Sequence, residues 1–321
     1  MLIELDRLYE LGYRGHVDFV DDNLIGNKKA VKAFLPHLAA WNKSHDHPFE
    51  FSTEALINLS DDPELMRLMR DANFFGVFVG IESPDPTTLT LMRKKQNTRR
   101  NIAETIHKIY SYGMFVNAGF ILGFDSEKGS VADSIVELIQ DAAIPLSVVG
   151  LLFALPGTQL TRRLEKEGRL YANHDVFRAG DQCTQGLNFE TARPLRDILL
   201  DYKSILERIY DPAAYAKRLD RLVSLIDCSG RPHEMPEDDL PSKFGALERI
   251  RRILSELPTR EPFRKVLTNC MKTNPAIINY IVLLMAAYLH LGPYSRYIIA
   301  SVERRLSVLD AEHAAPQVAA E

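Results

Sequence analysis

Sulfur is scarce in this chain: 321 residues carry three cysteines, Cys183, Cys228 and Cys270. They lie too far apart for a disulfide framework or a metal knuckle, so reduced thiols in a cytoplasmic protein are the expectation. An excess of one charge is also lacking. Lys and Arg number 39 against 43 Asp and Glu, a net charge of -4, so no global basic field points to nucleic acid. The longest apolar run, Ala276 to Leu289, is short and interrupted for a membrane span. Met1 is followed at once by Glu4, Asp6 and Arg7, which is no signal peptide. No Gly-x-Ser-x-Gly elbow and no phosphate loop occur, and Gly119 to Gly123 has the wrong spacing for a dinucleotide fingerprint.

What is present is an alternation of apolar strands and amphipathic helices. A composition of 46% hydrophobic and 26% charged residues is that of an ordinary globular protein. Strand patterns begin near residues 16, 49, 76, 115 and 147 with a helix between each pair, which is βαβ spacing and predicts a parallel sheet. The run Val77 to Ile81 predicts a strand covered on both faces. Asp61 or Asp62 and Thr158 are expected helix caps, and a further helix is expected to open at Asp211-Pro212. The chain opens with a helix, Leu2 to Leu11, that feeds a strand, so alternation predicts that a first strand is missing. Beyond Gly168 the pattern changes. We expect a barrel unit over 1–170, an extension of loop and helices over 171–229, and a helical unit with a frayed tail over 230–321. Helices are expected at about 195–210, 211–227, 243–257, 260–272, 275–290 and 294–309. The 275–290 helix is expected to be buried in a small bundle, with a lipid-facing surface as the alternative.

In a parallel array all strand exits share one rim. Here they read Asp21-Asp22-Asn23, Thr53-Glu54, Glu82-Ser83, Gly123-Phe124-Asp125 and Pro156-Gly157-Thr158. Carboxylates there can take ribose hydroxyls or an ammonium group, and glycines let a flat ring approach the backbone. The plainer reading is that these residues only end strands and cap helices. His45-Asp46-His47 lacks a third metal ligand, and the basic cluster at Arg93 to Lys95 and Arg99-Arg100 fits a solvated face.

The segments VDFVDDN (17–23), FSTEALINL (51–59), GVFVGIESPDP (76–86), KQNT (95–98), AGFILGFD (118–125) and VGLLFALPGTQL (149–160) together resemble the cobalamin-dependent radical S-adenosylmethionine (SAM) enzymes. GDQCTQGLNF (180–189) and the helical tail look like the extension of a subgroup that includes the hopanoid C-2 methylases. The resemblance implies an α/β fold, a six-stranded partial β/α barrel of radical SAM type, of which this chain would hold five strands, followed by the helical extension. It implies a methyltransferase acting on an unactivated carbon of a hopanoid-type lipid, with SAM, a [4Fe–4S] cluster and cobalamin as cofactors. By position, Glu54 and the Glu82-Ser83 pair would contact SAM's amino acid and ribose. Gly123 and the backbone from Leu151 to Ala154, Leu152 among it, would lie near adenine, and Asp21, Asp22 and Asn23 would line the rim, with Asp125 a further binding candidate at its strand exit. No catalytic residue is assigned. The chain departs from the pattern by lacking CxxxCxxC and the cobalamin domain, which would belong ahead of its first helix. The expectation is therefore an N-terminally truncated fragment without radical activity. A cluster-free SAM or nucleoside binding module, or a partner subunit, is the competing reading. A β/α hydrolase or lyase using the rim carboxylates is a third. The expected partners are small-molecule SAM and a lipid substrate, with peripheral contact to a membrane and none to nucleic acid.

Overall fold

A computed structural model describes residues 1–85, 88–89, 101–172, 183, 186–229, 255 and 260–314. Five strands, β1 (Gly15–Phe19), β2 (Phe49–Glu54), β3 (Phe74–Glu82), β4 (Phe115–Leu122) and β5 (Ser147–Leu151), form one sheet in sequence order. Every neighbouring pair is parallel, so the sheet is an open half-barrel. The helices α1 (Leu2–Glu10), α2 (Lys28–Ser44), α3 (Pro63–Asp71), α4 (Ile102–Tyr110), α5 (Ala132–Asp141) and α6 (Gln159–Lys166) alternate with the strands. Side-chain caps fix several helix starts. Asn27, Asp62, Asn101 and Thr158 each accept a backbone N–H from the helix's first turn. Asp62 is the cap of the two candidates.

One face of the sheet is covered. Phe51, Val77, Val79, Val116, Ala118 and Phe120 are buried with Leu35, Leu38, Leu65, Met69, Ile106 and Ile135 of the surrounding helices. The other face is open. His16, Asp18, Ser52, Glu54, Phe78, Gly80, Glu82, Asn117, Gly119 and Val148 lie on it, and each is half-buried or exposed. The β3 expectation of two covered faces therefore fails from Phe78 onward. The half-barrel does not close on itself, and the small side chains Gly80 and Gly119 leave the open side shallow.

The extension begins with α7 (Leu195–Ile209), which lies against β5. Tyr202 Oη donates to the Val149 carbonyl at 3.1 Å and Tyr210 Oη to that of Ser147 at 2.7 Å. Next come α8 (Pro212–Leu225, capped by Asp211), α9 (Arg260–Thr273) and α10 (Ile278–Ala314). Tyr215, Phe263 and Tyr288 pack ring to ring between them. Arg218 is wholly buried among these tyrosines. Its Nε donates to the Ile144 carbonyl at 3.1 Å and its Nη2 to that of Ile209 at 2.6 Å. At the far end Tyr280 stacks on Phe75 and donates to Glu50 Oε2 at 2.7 Å, tying α10 to the sheet.

The two helices expected over 275–290 and 294–309 are one, running through Gly292 and Pro293. A proline removes one ladder bond, and the buried positions on either side stay in register: Leu284, Met285 and Tyr288 before it, Ile298, Val302 and Leu306 after. The segment Pro275–Ala311 is long and apolar enough, by length and composition, to cross a membrane, but 33% of its most apolar window is buried against the protein. The helix expected at 243–257, except for Ser255, the tail beyond 314 and the KQNT segment lie outside the described residues.

Candidate functional site

The carboxylates of the first two strand exits meet on the open face. Register places Asp18 beside Ser52, and Glu54 beside Phe78, with Asn117 next on β4. Ser52 Oγ donates to Asp18 Oδ1, and His16 Nε2 lies 2.7 Å from the same hydroxyl. Burial, with the negative charges of Asp22 and then Asp18, holds the Glu54 carboxyl above its ordinary range. Asn117 Oδ1 is buried without a hydrogen-bond partner. The Phe78 ring leans across Gly119, where an added Cβ would come within 3.1 Å of it. The result is a shallow trough with an acidic wall on β1 and β2 and a floor of one aromatic ring and bare backbone.

The remaining site candidates fall into two groups. Asp21 Oδ1 accepts the Asn23 N–H at 2.9 Å, and Asn23 Oδ1 accepts the Leu56 N–H at 3.2 Å, so Asn23 ties the β1 exit to the loop after β2. Asp22 stays exposed beside Glu54. Glu82 has φ of 68° where the β3–β4 register shifts, a backbone conformation that non-glycine residues rarely hold. Ser83 is buried, and its Oγ accepts the Asp85 N–H at 3.2 Å in a local turn, while Asp85 Oδ2 accepts the Thr88 N–H at 2.7 Å.

Gly123, Asp125 and Leu152 lie apart from the acidic wall, where the extension returns to the sheet. Gly123 has φ of +101°, and its missing side chain makes room for Leu187, whose Cδ2 would be 2.4 Å from a Cβ there. Leu187 N–H donates to the Leu152 carbonyl at 2.7 Å, and Leu152 N–H to that of Leu122 at 2.8 Å. Asn188 closes the seam by accepting the Ala154 N–H at 2.8 Å and donating to the Ala154 carbonyl at 3.2 Å. Asp125 receives Arg169 through both oxygens, at 2.6 and 3.0 Å, and Arg163 at 2.8 Å. These guanidinium groups, Arg169 foremost, hold its carboxyl below the usual range.

Sequence reasoning missed the network behind Gly123. Glu127 accepts the Gly123 N–H at 3.0 Å and the Phe124 N–H at 3.3 Å, while Arg193 bridges it, at 3.4 Å, to Asp201 at 2.8 Å. Asp201 also takes the Ser130 hydroxyl at 2.6 Å. Burial holds the Glu127 carboxyl above its ordinary range despite these partners. Only spacing could have signalled it, as a Glu four residues past a strand-end glycine.

The donor sets divide the implied cofactors. Among the described residues no group of three His, Cys, Asp or Glu is placed to hold a metal ion. Cys228 and Cys270 are buried, and burial pushes the Cys270 thiol up to about 11. These thiols do not fit an iron–sulfur cluster. The trough does fit a ligand rich in hydrogen-bond donors, because the exposed Asp18, Asp22 and Glu54 carboxylates and the orphan Asn117 oxygen are all acceptors.

Residues 158–304, from the α6 cap into α10, match the family described as a domain of unknown function, DUF4070. An uncharacterized methyltransferase of Synechocystis sp. is 45% identical over 218 residues, and the hopanoid C-2 methylase of Rhodopseudomonas palustris is 41% identical over 220. Each alignment covers 68% of this chain and 40% of the relative, so the chain spans about two fifths of the length of the curated relatives it matches. Over that shared stretch, the chain is similar to both the Synechocystis methyltransferase and the hopanoid C-2 methylase.

Proposed function

We propose that this chain is the SAM-binding and substrate-side portion of a methyltransferase, acting on an unactivated carbon of a hopanoid-type lipid. The observation that carries the reading is the trough, an acceptor-lined wall beside a glycine-and-phenylalanine floor. Asp22, Glu54 and Asp18 would hold SAM's ammonium group, and Asn117 Oδ1 would accept from one of its donors. Phe78 would give its apolar atoms a surface. SAM, when bound, supplies the alkyl chemistry. The chain's own residues bind it, orient it and screen its charge. The two methyltransferase relatives support the assignment. Because the thiols described do not fit a cluster, the residues holding a [4Fe–4S] centre and cobalamin would come from a further segment or a partner subunit. On this reading the chain alone has no radical activity.

Isothermal titration with SAM tests the binding half. Glu54→Gln and Asp22→Asn should each weaken binding by about ten-fold or more, the usual effect of deleting a hydrogen bond to a charged group. No heat with SAM at millimolar concentration, or equal affinity in both variants, would sink the proposal.

A further inference from the structure

We propose that the outer face of α10 rests on the surface of a lipid bilayer. One side of this helix is committed to protein: Ile281, Leu284, Met285, Tyr288, Ile298, Val302 and Leu306 are buried, and Tyr215 Oη donates to the Leu284 carbonyl at 2.8 Å. The helix therefore cannot be ringed by lipid as a spanning segment is. The opposite side carries apolar side chains as well. Leu283 is 54% exposed, Tyr297 60% and Val308 58%. His290, Tyr294 and Tyr297 stack in a row along it, with ring centroids 6.0 and 6.3 Å apart. From Pro275 to Ser295 the sequence has no Asp, Glu, Lys or Arg. A helix apolar on both sides is covered on both sides.

Composition and charge favour a bilayer over a second copy. The outward positions repeat at heptad spacing, but the seam would contain Asn279, His290, Pro293 and Arg304, which do not make the Leu and Ile core of a coiled coil. Tyrosines and a histidine between leucine and arginine are the residues that settle at a headgroup boundary. In the C-terminal half Glu303 pairs with Lys203 at 2.7 Å and Asp310 with Arg196 at 2.8 Å. Arg296 and Arg304 are exposed and have no carboxylate in ion-pair reach among the described residues, which leaves them for lipid phosphates.

Flotation of the full chain with vesicles of phosphatidylcholine and phosphatidylglycerol tests this. The protein should rise with the vesicles. Leu283→Glu combined with Tyr297→Glu should cut the bound fraction about ten-fold or more, since each removes an apolar side chain from the interface. Leu200→Glu, on exposed α7 surface, should float normally. Both side chains point outward, so circular dichroism and melting should be unchanged in the double variant. The proposal is overturned if the wild type stays in the dense fraction or the double variant floats equally well. It is also overturned if light scattering shows a wild-type dimer that the double variant loses, because a second copy would then be the occupant.

Discussion

Two glycines separate two kinds of constraint. At Gly186 an added Cβ would lie 2.3 Å from Leu151 Cβ and 2.7 Å from the Leu151 carbonyl oxygen, and a strand backbone cannot move aside. At Gly157 there is open space, but φ is +77°. Gly186→Ala should therefore cost about 3 kcal/mol through overpacking, and Gly157→Ala about 1 kcal/mol through backbone strain alone. Urea denaturation of both variants checks the order, and equal losses would contradict it. Glu54 gives a pH signature. Burial and its acidic neighbours raise its folded pKa, so the folded state holds this proton more tightly than the unfolded chain does. Its contribution to stability is complete below the ordinary carboxyl range and is lost as pH rises through the raised folded value. Glu54→Gln should therefore gain on the wild type in melting temperature as pH goes from 4 to 7. A constant difference across that range would show that Glu54 is not perturbed.

Strands and helices were legible as elements because each has a local cause. The period of apolar residues marks the five strands, and Asp62, Thr158 and Asp211 cap where a short side-chain acceptor precedes a helix. What was not legible depends on partners distant in sequence. Nothing local distinguishes Asp125, tied to Arg163 and Arg169, from Asp22, which faces the trough. Nothing local says that Leu187 fills the space above Gly123. Gly292-Pro293 looked like a break because local rules forbid proline in a helix, yet the packing on both sides continues through it. The seam between half-barrel and extension shows the same dependence, since Arg193 joins Glu127 of the β4 exit to Asp201 of α7. Its side chain is 10% exposed and that of Glu127 1%. Arg193→Met leaves two carboxylates buried without their cation and should cost about 3 to 5 kcal/mol. Adding Glu127→Gln should recover part of the loss, because one stranded charge is gone. A double variant no more stable than the single would mean that the pair does not act through charge.

At the scale of the molecule the sheet has one covered face, one open face and one bare edge. Among the described residues β1 pairs only with β2. An unpaired parallel edge carries a row of backbone donors and acceptors that another chain can extend. The alternation of elements had already pointed to this edge from the sequence; the degree of exposure around it had not been readable, because it depends on where α1 lies. Val20, just past β1, is 93% exposed, Ile3 82%, Leu11 66%, Met1 54% and Tyr13 43%. Exposed apolar side chains on the segments that flank the edge strand favour self-association there. Light scattering of the isolated chain should therefore show mass rising with concentration. Val20→Lys with Leu11→Lys should suppress the rise by placing charge before and after the edge strand, without loss of melting temperature, since both side chains are mostly exposed. The association should survive Leu283→Glu with Tyr297→Glu, which alter a different surface. A chain that stays monomeric at high concentration, or that associates equally with both lysines present, would show that this edge is already protected.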